Sequence, residues 1–114
     1  MLNLIAATHA EAEPIISALK LKKVTALLNC YQNKNVHLVI TGIGKCNTAT
    51  ACGWLAEKTA QSSGKSAVGK SSAWLNLGIA GHKSAELGSL MVAHKVTDLA
   101  TRNCLLYTSP SPRD

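Results

Sequence analysis

The chain has 114 residues, 46% of them hydrophobic, a mean hydropathy of +0.10 and a formal charge of +6. That is enough apolar material for one folded domain, and it excludes a disordered chain. No apolar run approaches the ~20 residues a bilayer crossing needs, and the amino terminus lacks the charged and then apolar layout of a secretion signal, so a cytoplasmic protein with no membrane partner is expected.

The first element in chain order is a short apolar run over residues 2–7, which reads as a buried strand. Thr8 follows in position to cap a helix over residues 9–21. Glu11 and Glu13 fall in its first turns, where carboxylates complement the positive end of the helix dipole, and Pro14 is early enough to be tolerated. Residues 24–32 and 36–41 read as two strands of a hairpin joined by Asn33-Lys34-Asn35, which has polar turn chemistry. A second helix, rich in Ala and Thr, is expected over residues 45–59, its small side chains letting it lie close against a sheet. After a Gly, Ser and Lys loop at residues 61–72, strands are expected at residues 73–77 and 89–96. This order predicts an α/β fold with a mixed sheet.

Two of these strands share a feature. Leu38-Val-Ile-Thr-Gly42-Ile-Gly44-Lys45 and Trp74-Leu-Asn-Leu-Gly78-Ile-Ala-Gly81 are apolar runs that drive into glycine-broken turns. Apolar runs without alternation suit strands covered on both faces, and glycines at their ends let the backbone turn sharply and approach a ligand. Open α/β sheets bind ligands at those ends.

Other signals are weaker. Gly64-Lys-Ser-Ala-Val-Gly69-Lys70-Ser71 has the spacing of a phosphate-binding loop, but such a loop needs an apolar strand before it and a helix after it, and this stretch has neither. The lysines are scattered and do not interleave with Tyr31, Trp54 and Trp74, so no nucleic-acid partner is expected. Cys30, Cys46, Cys52 and Cys104 lack the paired spacing of a metal site and read as reduced thiols.

Three pieces together carry a resemblance: Ile5-Ala-Ala-Thr-His-Ala-Glu11, Thr41-Gly-Ile-Gly-Lys45, and Asn76-Leu-Gly-Ile-Ala-Gly81 followed by Leu87-Gly-Ser-Leu-Met-Val. In this order they resemble the nucleoside phosphorylase and nucleosidase family, with the methylthioadenosine/S-adenosylhomocysteine nucleosidases and futalosine hydrolases nearest. The resemblance implies a three-layer α/β/α fold, cleavage of the N-glycosidic bond of a nucleoside, no metal or cofactor, and a parent protein that is a homo-oligomer.

By position, Glu11 resembles the carboxylate that activates water in the hydrolytic members, with Glu13 as the fallback. An oxocarbenium-like transition state suits a carboxylate that both stabilises charge and accepts a proton. Ile43 and Gly44 resemble the turn beside the ribose and its 5′ substituent. Gly78, Ile79, Ala80 and Gly81 resemble the turn beside base and ribose. Here the chain departs from the family's G-S-x-G-G: Ile79 stands for the serine and His82 for the last glycine. Asn76 stands where phosphorolytic members carry an arginine. Isoleucine donates no side-chain hydrogen bond and asparagine has no charge for phosphate, so hydrolysis is favoured over phosphorolysis. The alternatives are a phosphorolytic enzyme and a non-catalytic nucleotide-binding α/β domain.

Residues 104–114, Cys-Leu-Leu-Tyr-Thr-Ser-Pro-Ser-Pro-Arg-Asp, resemble residue for residue the translation of a transposase sequencing adapter. Residues 1–103 are therefore expected to be the amino-terminal part of a nucleoside phosphorylase-like domain, incomplete on its carboxyl-terminal side, and 104–114 a non-native, disordered tail. The resemblance places a second site glutamate and a purine-protonating aspartate in a later half, so the fragment itself is expected to be inactive, with an exposed sheet edge that favours aggregation.

Overall fold

The computed structural model describes residues 1–62 and 72–106, and the chain divides into two units, Met1–Ala80 and Gly81–Asp114. In the first unit β1 (Leu2–Ala6) leads into α1 (His9–Leu19), followed by β2 (Lys22–Val24), β3 (Asn29–Gln32), β4 (Val36–Ile40), α2 (Lys45–Ser62) and β5 (Ala73–Leu77). Among the described residues these five strands form one sheet in the order β2-β3-β4-β1-β5. The pairs β4/β1 and β1/β5 are parallel, while β2/β3 and β3/β4 are antiparallel, so the sheet is mixed as expected.

Each side of the central strands has its own apolar cluster. Leu4, Ala6, Val36 and Leu38 pack with Ala12, Ile15 and Ile16 of α1. Ile5, Val39 and Cys30 pack with Ala51 and Leu55 of α2. Successive strand residues point to opposite faces, which is why alternate residues of β1 and β4 fall into different clusters. α1 therefore covers one face and α2 the other. The α/β class stands, but among the described residues each outer layer is a single helix rather than a full layer.

Local chemistry explains the boundaries. Thr8 caps α1 through a bond from the Glu11 N–H to Thr8 Oγ1, and Lys20 closes it in the left-handed region at φ 52°. Asn33 builds the β3–β4 turn: its Oδ1 accepts from the Asn35 and Val36 amides at 2.8 and 2.9 Å, and its Nδ2 donates to Leu19 O at 3.1 Å. In α2 the buried residues Ala51, Leu55 and Thr59 recur every four positions, giving one narrow docking stripe on an otherwise polar helix.

Four expectations are corrected. The run over residues 24–32 is not one strand: the chain bends between Val24 and Asn29 and folds back as a β2–β3 pair, with Leu27 85% exposed at the bend. Apolar composition alone cannot tell a long strand from two short ones joined by a bend. α2 continues past residue 59 to Ser62, since Ala60, Gln61 and Ser62 carry no breaker. The phosphate-loop lookalike at residues 64–71 lies outside the described residues.

The third correction concerns the strand expected at residues 89–96. Among the described residues of the second unit the strands are β6 (Lys95–Thr97) and β7 (Cys104–Leu106), paired antiparallel as a separate two-stranded ribbon. Asp98 organises the connecting turn, its carboxylate accepting from the Ala100 amide and the Thr101 hydroxyl. β7 is also a correction, because these three residues belong to the stretch expected to be disordered; residues 107–114 of that stretch lie outside the described residues. Between residues 81 and 104 no residue is buried, and Leu87, Leu90, Val92 and Leu99 are exposed. The run at 89–94 lacks a ladder of its own because a lone strand cannot satisfy its amides and carbonyls.

The edges of the five-stranded sheet differ. β2 presents exposed Lys22 and Lys23, whereas β5 carries no charge and leaves Trp74 and Leu75, which point to opposite faces, 44% and 48% exposed.

Candidate functional site

Parallel register sets the geometry. Ala6 is level with Ile40 on one side and Leu77 on the other, so β4, β1 and β5 end together and their following turns lie side by side. The turn after β1 is zipped to the turn after β4 by bonds from the Thr41 amide to Ala6 O (2.9 Å) and from the Gly42 amide to Ala7 O (3.0 Å). Gly42 and Gly44 sit at φ 87° and 100°, a region that side chains disfavour, and they turn the chain into α2. Neighbouring strands β1 and β4 send their helices to opposite faces, the arrangement that opens a crevice at the carboxyl ends of an α/β sheet.

Glu11 stands at this end. As the third residue after the Thr8 cap it occupies the glutamate position of a capping box, whose carboxylate would normally return to the cap's own amide. It does something else. Its Oε1 accepts from the Thr8 hydroxyl at 2.9 Å, and its Oε2 accepts from the Ile79 amide, 68 residues away, at 3.0 Å. Each oxygen has one donor and retains lone-pair capacity for another. The half-buried carboxylate is thus held at the turn after β5, where it can accept a proton or face a developing positive charge.

The structure brings Glu11, Gly78 and Ile79 together. Ile79 contributes its amide, while its side chain is 88% exposed. Ala80, exposed, ends the first unit, and Gly81 begins the second. Gly44 opens α2, where its carbonyl accepts from the Thr48 amide and hydroxyl. Ile43 is 77% exposed, so it is neither ordinary core nor a wall closed over Glu11. The other acid of α1, Glu13, points elsewhere and lies 3.2 Å from His9 one turn away.

Sequence reasoning missed the second role of Thr8 at the site and a buried polar pair inside the sheet away from it. Thr8 serves the carboxylate as well as the helix cap. Asn3 and His37, paired across β1 and β4, are 0% and 5% exposed, and the Asn3 amide group and His37 Nδ1 make no hydrogen bond. The available signal was a polar residue inside an unalternated apolar run, as in Leu2-Asn3-Leu4. Burial holds the His37 imidazole below its ordinary pKa, reinforced by Lys58 and the chain's amino group. On the same face burial pushes the Cys30 thiol up, opposed by Lys58, whose Nζ lies 3.7 Å from Cys30 Sγ. The four cysteines are free, and among the described residues no cluster of three or more His, Cys, Asp or Glu is placed to hold a metal ion.

No protein family, curated protein or solved structure matches this chain. Among the described residues no helix is long and apolar enough to cross a membrane.

Proposed function

We propose that the chain is the amino-terminal part of a cytoplasmic enzyme that cleaves the N-glycosidic bond of a purine nucleoside, with Glu11 as the base that activates water. The observation that carries this reading is the reach of Glu11 to the Ile79 amide at the end of β5, instead of the closure of its own capping box. A helix-end acid needs no such partner. A base that must meet an anomeric carbon beside two glycine turns does need a fixed direction.

Water is favoured over phosphate as the acceptor for two reasons. Asn76 brings no charge to the end of β5, and the Ile79 amide that an anion would seek is already engaged by a carboxylate. A phosphate there would face a like charge. Catalysis in this reading requires acidic groups from a segment beyond Asn103, so the 114-residue chain binds weakly and does not turn over.

The test is to read the genomic frame past the Asn103 codon and assay the longer protein on several nucleosides, with and without phosphate, for release of free base. Base release without phosphate, lost in Glu11→Gln, is the expected result. A native stop codon directly after Asn103, or cleavage indifferent to Glu11→Gln, overturns the reading.

A further inference from the structure

The geometry points to Gly78 as a positioning residue for Glu11, the absence of a side chain at 78 being what allows the carboxylate to seat on the Ile79 amide. A Cβ built on Gly78 falls 2.7 Å from Glu11 Oε2 and 3.9 Å from its Cδ, and beyond its own chain neighbours meets no other residue within 4 Å. Contacts of 2.7 Å do not occur at a real Cβ, so a methyl group there and the seated carboxylate exclude one another. Backbone freedom does not explain this glycine. Gly42, Gly44 and Gly88 occupy positive φ and Gly78 does not. Space explains it, and that space is taken by one atom of one residue.

The consequence is specific. The carboxylate is the far end of a flexible side chain, so an alanine at 78 leaves the turn intact and evicts Glu11 instead. Oε2 then loses its donor while Oε1 keeps the Thr8 hydroxyl, and the group swings about that remaining bond. A general base acts within about 2.6–3.2 Å of the proton it takes, and a displacement of about 1 Å is costly to catalysis. What the carboxylate is positioned to do rests on the function proposed above; the seat itself does not.

The experiment uses the 114-residue chain, 15N-labelled, with the Ile79 amide resonance followed through an acid titration that protonates Glu11. In the unmodified protein the Ile79 resonance follows that protonation, and in Glu11→Gln it does not. In Gly78→Ala the response disappears while resonances of the sheet core stay in place. In a Glu11→Ala background, adding Gly78→Ala disturbs only immediate neighbours. If Gly78→Ala fails to fold but the double variant folds, the conflict with Glu11 is upheld. An Ile79 response that persists in Gly78→Ala overturns the inference, as does equal disruption by Gly78→Ala with Glu11 removed, or failure of both variants to fold. No nucleoside enters the measurement, so a seat that is present in a protein whose longer frame releases no base refutes the function and leaves the positioning intact.

Discussion

Glu11 Oε2 accepts a hydrogen bond from the Ile79 amide at 3.0 Å, which ties the first turn of α1 to the end of the last strand of the sheet across 68 residues. The Thr8 hydroxyl completes the tie from the other side. Removing the cap in Thr8→Ala is expected to cost about 1 kcal/mol, as helix caps do. Glu11→Ala, which removes a half-exposed acceptor, is expected to cost about 1 kcal/mol as well. Since the hydroxyl and carboxylate touch, the double variant should lose less than the sum by at least ~0.5 kcal/mol. Urea denaturation of the four proteins checks this, and strict additivity refutes the coupling.

Acid should weaken the fold through His37. Its folded pKa lies below the ordinary imidazole value because the ring is buried and Lys58 and the amino terminus repel a second positive charge. Above about pH 6.5 both folded and unfolded chains hold it neutral and it has no effect on stability. Below that value the unfolded chain takes up the proton first, so stability falls with falling pH until the folded ring also protonates. Melting temperatures measured from pH 7.5 downward should drop more steeply for the unmodified protein than for His37→Leu. Parallel curves count against the assignment.

Asn3 carries a buried side-chain amide without hydrogen bonds, on β1, an interior strand of the sheet. An unmet buried polar group costs about 1–3 kcal/mol, and valine, nearer to asparagine in volume than leucine is, leaves no polar atom unmet and suits a strand. Asn3→Val is therefore expected to raise stability by about that amount in chemical denaturation. A lower midpoint would mean that the amide has a partner in solution.

The bare edge at β5 should govern self-association. Leu75 is 48% exposed on a strand without charge, and charged residues on edge strands oppose pairing between chains. Leu75→Lys is expected to reduce concentration-dependent light scattering while changing the melting temperature only slightly. Scattering that is unchanged places the sticky surface elsewhere, with the exposed apolar residues of the second unit next in line.

Much of the first unit was legible because its signals are local. The apolar runs of β1, β4 and β5 and the Asn33 turn fall where expected. The bend inside residues 24–32 was not legible, because whether an apolar stretch continues or folds back depends on the edge it meets. The strand anticipated at 89–96 fails for a related reason: strand composition forms a ladder only where a neighbouring backbone is present. At the site, the sequence singled out Glu11 and Gly78 separately, each by its place in a short motif. Their mutual exclusion was not, since the 2.7 Å approach exists only once β5 lies beside β1. The role of Ile79 was hidden for another reason: its contribution is a backbone amide, which every residue but proline supplies.

The unlike margins of the sheet limit what it can build. Two copies meeting along β5 would turn their lysine-bearing β2 margins outward at both extremities, and Lys22 and Lys23 would repel any third arrival. Such a ribbon stops at a pair, so ordered stacking by this route is self-terminating and does not grow into a filament.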